Sequence, residues 1–360
     1  MRILTVIGAR PQFVKAAVLS RAFLDGGVVH ETIIHTGQHF DDNMSRIFFE
    51  ELGVPKPNRN LGIAGSGHGE MTGRMMEQLE VIFQADKPQA VLVYGDTNST
   101  LAASLVASKL CVPVLHVEAG LRSFNRRMPE EINRVVTDHL SSVLFSPTPL
   151  ASKNLRNEGI DASTIHEVGD VMYDAANLFL EIAKIVSNIH ERLLLWNRDY
   201  VLATIHRQEN TDDEAKLRNI CVELTRASKS IPIVLPLHPR TRRKIHDLGD
   251  ATLLNGVTVI EPVGYLDMIQ LERGASVIVT DSGGVQKEAY FWRVPCITLR
   301  DETEWVELVE TGWNELASPL SNDVGELIIR RIGSRGEDVN LYGGGLATDR
   351  INEILSGLLL

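Results

Sequence analysis

The amino-acid sequence predicts an α/β protein built from two doubly wound domains. Short apolar runs alternate with amphipathic stretches from end to end, a pattern typical of βαβ units with parallel sheets. The chain has 360 residues, which is long for a single core and favours two domains. The alternation restarts after Gly169, so we expect the second domain to begin there.

The composition is that of an ordinary globular protein, with 44% hydrophobic and 23% charged residues. The net charge of -11 argues against a nucleic-acid partner and against binding to an anionic membrane. No apolar run approaches the roughly 18 residues of a membrane helix, and the N-terminus lacks the pattern of a secretion signal. We therefore expect a cytoplasmic protein. Cys111, Cys221 and Cys296 lie far apart beside apolar residues, so we expect three buried thiols and no disulfide or zinc site.

The first domain is predicted to contain five strands and four helices. The strands are Ile3–Ile7, Thr32–His35, Ala90–Tyr94, Pro113–Val117 and Val143–Phe145, and the helices are Phe13–Leu24, Met71–Ala85, Thr97–Leu110 and Glu130–Leu140.

The second domain repeats this pattern. Its strands are Tyr200–Ile205, Ile233–Leu237, Val257–Ile260, Ser276–Thr280 and Cys296–Leu299, and its helices are Asp213–Ser228, Leu266–Arg273 and Val285–Trp292. A charged helical segment, Asp170–Arg198, is the predicted connection, and a last helix, Ala347–Leu358, follows three glycines and is assigned to the first domain. The predicted domains are thus 1–169 with 346–360, and 170–345.

Residues just after each strand are the first candidates for function, because open α/β sheets bind ligands at the carboxyl ends of their strands. The first strand runs into Gly8-Ala9-Arg10-Pro11-Gln12, with Lys15 one turn further along the helix. A strand, a glycine and a helix N-terminus suit an anionic ligand, which predicts that Arg10 and Lys15 lie beside it. The alternative is that both cations are merely solvated.

Carboxylates follow two more strands of the first domain. Asp96 follows the strand that ends at Tyr94, where a helix-capping role is an equally good explanation. Glu118 directly follows an apolar strand, which is poor capping chemistry and favours function. Glu130 and Glu131 stand at a predicted helix start, where the helix dipole favours them regardless of catalysis.

The second domain places cations and hydroxyls at the same kind of position. His206 and His238 each follow a strand, and Asp281-Ser282-Gly283-Gly284 opens a helix whose free N–H groups can hold a phosphate. Glu288, one turn into that helix, is placed to accept hydrogen bonds from ribose hydroxyls. No dinucleotide fingerprint or Walker loop occurs, so we expect no NAD, no other cofactor and no metal. The layout predicts a nucleoside diphosphate bound by one domain, with its attached sugar reaching the other.

These motifs closely resemble those of the UDP-N-acetylglucosamine 2-epimerase family, from Arg2 to the last helix. The motifs that carry the resemblance are Gly8–Gln12, Tyr94–Thr97, His116–Arg122, Pro129–Arg134, Asp281–Gly284 and Tyr342–Gly345. The resemblance implies two Rossmann-like domains in the glycosyltransferase-B, or glycogen-phosphorylase-like, architecture, a homodimer, and a UDP-sugar substrate.

The resemblance also implies a reaction and roles for residues. UDP is eliminated from a UDP-2-acetamido sugar and added back, with protonation of C2 on the opposite face. Asp96, Glu118 and Glu130 would then be the catalytic carboxylates, with Lys15 and His206 also catalytic and Glu131 as the helix cap. The substrate-binding set implied by the resemblance is Arg10, Arg134, His206, His238, Ser282, Gly283, Gly284 and Glu288.

Two departures from the family pattern concern the sugar. Thr303–Glu307 and Ser123–Met128 resemble the branch that epimerises UDP-2,3-diacetamido-2,3-dideoxyglucuronate for O-antigen and related polysaccharides. Arg126 and Arg127 would suit the C6 carboxylate of that sugar, since arginine binds carboxylates through two parallel hydrogen bonds. A solvated loop is the alternative for this pair.

Three other functions stay open from sequence alone. A hydrolysing 2-epimerase would release N-acetylmannosamine, a glycosyltransferase of the same fold would need an acceptor groove, and a sensor would bind UDP-sugars without turnover. Three carboxylates close to the sugar favour elimination over glycosyl transfer.

Overall fold

The computed structural model describes residues 1–27, 29–38, 56–65, 67–196 and 198–357. The chain divides into two compact units, Met1–Leu178 with Asn340–Leu360, and Phe179–Val339. Each unit contains one parallel sheet with helices between its strands, so the predicted fold class is confirmed. The predicted assignment of a catalytic and a UDP-binding domain, with changes after residues 169 and 345, stays a prediction.

The first unit contains a sheet of seven described strands in the order β3-β2-β1-β4-β5-β6-β7. The strands are β1 Arg2–Ile7, β2 His30–His35, β3 Arg59–Asn60, β4 Ala90–Tyr94, β5 Val114–Val117, β6 Val143–Ser146 and β7 Ile165–Glu167. The helices are α1 Arg10–Gly26, α2 His68–Asp86, α3 Asn98–Lys109, α4 Pro129–Leu140, α5 Pro149–Asn157 and α6 Val171–Val186, which ends in the second unit; Ala162–Thr164 is a 3₁₀ turn.

The second unit contains a sheet of six described strands in the order β10-β9-β8-β11-β12-β13. These strands are β8 Val201–Thr204, β9 Ile233–Pro236, β10 Val257–Ile260, β11 Val277–Thr280, β12 Cys296–Thr298 and β13 Asn314–Leu316. The helices are α7 Ile189–Arg192, α8 Gln208–Thr211, α9 Glu214–Ala227, α10 Pro239–Asp247, α11 Tyr265–Gly274, α12 Gly283–Phe291, α13 Val306–Glu310 and α14 Val324–Arg331.

The last helix, α15 Ala347–Gly357, belongs to the first unit. The carboxylate of Asp174 accepts hydrogen bonds from the N–H groups of Ala347 and Thr348 at 3.2 and 2.9 Å, which caps this helix. The predicted end of the helix at Leu358 lies outside the described residues.

All ten predicted strands occur, and their ends differ from the prediction by at most two residues. The strands β3, β7 and β13 were not predicted, because their residues, Arg-Asn, Ile-His-Glu and Asn-Glu-Leu, are mostly polar and contain no apolar run. The parallel register between β1 and β4, with Leu4 opposite Val91, builds the apolar centre of the first sheet.

The expectation of three buried thiols is wrong for Cys111. Cys221 and Cys296 are buried, whereas Cys111 is exposed. It lies just beyond the end of α3 with a left-handed φ of 56°, where the chain turns at the surface towards β5. A position beside apolar residues in sequence is therefore not a buried position here.

The order of the strands fixes where each unit can bind a ligand. In the first sheet the connections reverse direction between β1 and β4, and in the second between β8 and β11. At such a switch point the loops leave on opposite faces and open a crevice at the carboxyl ends of the strands. Predicted site residues follow each of these four strands, β1, β4, β8 and β11.

Among the described residues, no helix combines the length and the apolar character needed to cross a membrane.

Candidate functional site

A pocket of about 220 Å³ lies at the switch point of the first unit. Its walls are the start of α1, the segment that joins β4 to α3, Glu118 after β5, and the start of α4. Four of the predicted catalytic residues line this one pocket: Lys15, Asp96, Glu118 and Glu130. Gln38, His68 and Asn133 also line it and were not predicted as site residues.

Gln12 ties two walls of the pocket together. Its side-chain oxygen accepts hydrogen bonds from the N–H groups of Gly8 and Ala9 at 2.7 and 2.9 Å, and its amide nitrogen donates to the carbonyl of Tyr94 at 2.7 Å. Gly8 must be glycine here, because a Cβ atom would lie 2.2 Å from the hydroxyl oxygens of Thr36 and Ser99. The close approach of β1 and β4 is therefore built into the loop Gly8–Gln12.

Lys15 and Glu118 form an ion pair whose side chains are only 8% and 12% exposed. Glu118 also has a left-handed backbone, with a φ of 72°, which costs a non-glycine residue about 1–2 kcal/mol. The hydrogen bond of its N–H group to the carbonyl of Phe145, at 3.1 Å, holds this turn. The carboxylate is thus held in one place beside a cation.

Asp96 lies beside Arg134 and Asn133 of α4. The guanidinium of Arg134 donates to its carboxylate at 2.6 Å, and the amide of Asn133 donates to its backbone carbonyl at 2.9 Å. Burial in the recessed pocket raises the pKa of Asp96; Arg134 opposes this, and the charge of Glu118 adds to it. The side chain is nevertheless 32% exposed through the pocket opening, so it is accessible to a ligand.

Glu130 and Glu131, adjacent in sequence, have different surroundings. Glu130 lines the pocket and is exposed. Glu131 is 1% exposed and accepts hydrogen bonds from the N–H groups of Ser123 and Phe124, each at 3.0 Å. The expectation that Glu131 caps its helix is wrong, because its carboxylate instead fixes the preceding loop.

A largely buried charge network supports the same strand ends and was not predicted; of its four side chains, Glu158 is the most exposed, at 26%. His116 donates through Nδ1 to Asp138 at 2.7 Å, and its Nε2 lies 2.8 Å from the carbonyl of Gly95. Asp138 also accepts from Arg122 at 2.7 Å, and Arg122 forms two further 2.7 Å hydrogen bonds with Glu158. The network anchors the backbone directly before Asp96.

In the second unit, Asp281 organises the ends of β8 and β11. It accepts hydrogen bonds from the N–H groups of His206 and Arg207 at 3.1 and 3.0 Å, and its carboxylate lies 3.0 Å from His206 Nδ1. Burial alone would raise the pKa of Asp281, but these hydrogen bonds and the proximity of His206 outweigh it and lower the pKa. The His206 side chain is 55% exposed, and its Nε2 has no partner among the described residues, so this nitrogen is available to a ligand and donates when the imidazole is protonated.

Ser282, Gly283 and Gly284 form the N-terminus of α12, as predicted from their sequence pattern. The hydroxyl of Ser282 caps the helix by accepting from the N–H of Val285 at 3.4 Å. Glu288 is buried one turn further along and is hydrogen-bonded to the carboxyl of Glu272. Burial, and then the charge of Glu288, raise the pKa of Glu272.

The two remaining predicted residues are His238 and Arg10. His238 is exposed and caps α10, its Nδ1 accepting from the N–H of Arg240 at 3.2 Å. The side chain of Arg10 lies outside the part of the chain that the structure describes.

Cavity size alone would point elsewhere in the molecule. A larger cavity, of about 630 Å³, lies in the second unit near the start of β8, lined by His190, Trp196 and Arg273 among others. It is at the amino ends of the strands, whereas parallel sheets bind ligands at the carboxyl ends. The smaller pocket has the chemistry of an active site, because five ionisable side chains line it: Lys15, His68, Asp96, Glu118 and Glu130. Among the described residues no group of three or more His, Cys, Asp or Glu side chains is arranged to hold a metal ion.

Comparison with known proteins agrees with this geometry. The family model described as UDP-N-acetylglucosamine 2-epimerase matches residues 24–356. The chain belongs to that family. The UDP-2,3-diacetamido-2,3-dideoxy-D-glucuronate 2-epimerase of Pseudomonas aeruginosa is 52% identical to it, over 99% of this chain and 100% of the relative.

Solved structures of other members of the epimerase family share the fold. The UDP-GlcNAc 2-epimerase of Methanocaldococcus jannaschii, in complex with UDP-GlcNAc and UDP, has a TM-score of 0.90 at 42% identity, over 99% of this chain and 100% of that one. The enzyme from Neisseria meningitidis, bound to UDP-GlcNAc, has a TM-score of 0.90 at 31% identity, over 99% of both chains. The predicted glycosyltransferase-B-like architecture is thereby confirmed, and this epimerase is an enzyme of the isomerase class.

Proposed function

We propose that this epimerase inverts C2 of a UDP-2-acetamido sugar by eliminating UDP and adding it back. The observation that carries the proposal is the convergence of Lys15, Asp96, Glu118 and Glu130 on one pocket. Removal of a proton from a carbon without an adjacent carbonyl requires charge to be stabilised while the C1–O bond breaks. Several carboxylates in different surroundings meet that requirement, because different surroundings suit carboxylates to different roles.

The proposed reaction balances without a cofactor. A base takes the C2 proton, the electron pair of that C–H bond forms the C1–C2 double bond, and UDP leaves with the electrons of the C1–O bond. UDP then attacks C1 again, and a proton is delivered to C2 from the opposite face. The product differs from the substrate only at C2.

We assign different roles to the two best-defined carboxylates. Glu118 is held as an anion by Lys15, which suits it to stabilise the positive charge that develops at C1. The pKa of Asp96 is raised, chiefly by burial, which favours a role for this carboxyl in proton transfer. Glu130, exposed at the pocket edge, is the proposed second acid or base for the opposite face.

The diphosphate and ribose belong, in this proposal, to the second unit. The N–H groups of Gly283 and Gly284 at the start of α12, together with His206, can donate to phosphate oxygens. Glu288 accepts from the ribose hydroxyls, and Arg10, Arg134 and His238 are the further predicted contacts.

We propose that the sugar is a 2,3-diacetamido-2,3-dideoxyglucuronate, as the name of the 52% identical relative describes. The loop before Glu130 supports this choice, because the side chains of Arg126 and Arg127 are exposed and form no ion pair with any described residue. Two unpaired guanidinium groups provide a binding site for a C6 carboxylate.

Proton NMR in deuterium oxide tests the function directly. We expect the purified enzyme, without added NAD, to convert the UDP-diacetamido uronate to its C2 epimer with deuterium at C2. UDP-N-acetylglucosamine in a parallel tube identifies the alternative sugar, and free N-acetylmannosamine would identify a hydrolysing enzyme. An unchanged spectrum with both sugars would contradict epimerisation and favour a sensor.

Removal of the arginine pair tests the choice of sugar. The double substitution Arg126→Ala and Arg127→Ala is expected to raise KM for the uronate about tenfold or more, since each lost carboxylate hydrogen bond is worth about 1.5–3 kcal/mol. The Kd for UDP, which has no C6 carboxylate, should change less than about twofold. Arg156→Ala, at an exposed position of α5, is the matched control. An equal loss with UDP and with the uronate would contradict this role.

We further propose that the enzyme works in the cytoplasm, supplies O-antigen or related polysaccharide synthesis, and forms a homodimer. Light scattering on the purified chain tests the last point, with two chains of 39.9 kDa expected per particle.

A further inference from the structure

A carboxylate of the protein itself lies at the N-terminus of α12, where the substrate's diphosphate is proposed to bind. The Oε1 atom of Glu304 is so close to Gly283 that a Cβ atom on this glycine would lie 2.4 Å from it. Position 283 can therefore hold only glycine while Glu304 is in this place. The side chain of Glu304 is 16% exposed, so it is largely enclosed.

Two arginines share this carboxylate. Arg300 donates from Nη1 to Oε2 of Glu304 at 2.9 Å, and Nη2 of Arg207 lies 4.0 Å from Oε1. The side chains of Arg300 and Arg207 are 8% and 23% exposed. The backbone N–H of Arg207 is held by Asp281 at 3.0 Å, so this arginine is part of the same strand end as His206.

The local charges are those of a diphosphate site that is already neutralised. A helix N-terminus and two guanidinium groups favour an anion, and Glu304 supplies one. Burial alone would raise the pKa of Glu304, but Arg300 and Arg207 outweigh it and lower the pKa. An incoming diphosphate meets a fixed negative charge that is paired with the cations it would otherwise bind.

We propose that Glu304 is an internal anion that competes with the diphosphate for Arg300, Arg207 and the start of α12, and so weakens the binding of UDP. This inference rests on the proposed function, which places the diphosphate at Ser282, Gly283 and Gly284. The product keeps its diphosphate, so weaker binding at this end of the ligand eases release of the epimerised UDP-sugar. Glu304 therefore sets the affinity for UDP without contacting the reacting atoms.

The direction in which the Kd for UDP changes when Glu304 is neutralised separates this role from the other roles that Glu304 could have. A carboxylate that binds the substrate would lose affinity when it is neutralised, and a purely structural carboxylate would lower stability and leave affinity equal or weaker. If Glu304 is a competing anion, its neutralisation makes UDP bind more tightly, because Arg300 and Arg207 are released for the ligand.

The test is calorimetric titration of UDP into the full chain and its variants at low ionic strength. We expect Glu304→Gln, which keeps the side-chain shape, to lower the Kd for UDP at least about fivefold, and KM for the UDP-sugar to fall with it. Glu302→Gln is the matched control, since it removes the same charge from an exposed position two residues away and should change Kd less than about twofold. Added salt should shrink the difference, because it screens the competing charge.

An unchanged or larger Kd for Glu304→Gln, with a normal melting temperature, overturns the inference. If this variant does not fold, Glu304→Asp keeps the charge but shortens the reach towards Gly283, and it must also tighten UDP binding, by a smaller factor. Ser282→Ala in the same assay separates the two proposals. If Ser282→Ala leaves UDP binding unchanged, or UDP does not bind the wild-type protein, the proposed diphosphate site is wrong and the inference fails with it. If Ser282→Ala weakens binding while Glu304→Gln does not tighten it, only the role of Glu304 is wrong.

Discussion

Replacement of Gln12 by leucine tests whether one side chain joins the two walls of the pocket in the first unit. Gln12 is 2% exposed and makes five side-chain hydrogen bonds, two of them as acceptor from the N–H groups of Gly8 and Ala9. Leucine fills a similar volume but leaves both buried N–H groups without an acceptor. The carbonyl of Tyr94 keeps its hydrogen bond from the Thr100 hydroxyl at 2.7 Å. Each unsatisfied donor costs about 1–3 kcal/mol, so we expect the free energy of unfolding to fall by about 2–6 kcal/mol.

The assay is urea unfolding followed by two probes. All four tryptophans lie in the second unit, so tryptophan fluorescence reports on that unit, whereas far-ultraviolet circular dichroism reports on both. The loss should appear in the circular dichroism transition. Gln78→Leu, at an exposed position of α2, is the control and should change stability by less than about 0.5 kcal/mol. A loss of under about 1 kcal/mol for Gln12→Leu would refute the argument from unsatisfied N–H groups.

Two further predictions follow from the ion pairs. The hydrogen bond with Arg122 is the largest cause that lowers the pKa of Glu158. This pair therefore stabilises the fold above the unfolded-state pKa of Glu158. The stabilisation is lost as the pH falls through the folded-state pKa of Glu158. Glu158→Gln should therefore cost about 1.5–3 kcal/mol at pH 7 and progressively less in melting experiments below about pH 4.5; a difference that is constant with pH would contradict this. Asp281→Asn should release the imidazole of His206, because it removes a charge-assisted hydrogen bond to Nδ1. We expect this variant to bind UDP about tenfold more weakly in calorimetry. Unchanged affinity at normal stability would show that His206 needs no such support.

The fold could be predicted from the sequence where one property repeats over several residues. The apolar runs of β4 and β11 mark buried parallel strands, and the turn after each strand marked a ligand-binding edge. The strand β3 could not be found, because Arg59 and Asn60 are exposed and pair with β2 through backbone atoms. Backbone pairing leaves no trace in the choice of side chains.

The candidate site was predicted to a similar depth. Asp96 and Glu118 could be selected because each directly follows a buried strand, and the structure places both in one pocket. The partners that hold them could not be selected. Arg122 and Glu158 lie 36 residues apart, and His116 is an interior strand residue whose partner Asp138 is on a helix. Such pairs depend on how helices pack on the sheet, which periodicity does not determine.

Backbone strain and the ion pair with Lys15 place opposing demands on position 118. Glycine would adopt the φ of 72° without strain, but it would leave the Lys15 ammonium, whose side chain is 8% exposed, without its carboxylate partner. Removal of one partner of a buried ion pair costs about 3–5 kcal/mol, which exceeds the strain of about 1–2 kcal/mol. The strained turn and the ion pair are therefore coupled: the backbone strain at position 118 is tolerated because it places the carboxylate beside Lys15.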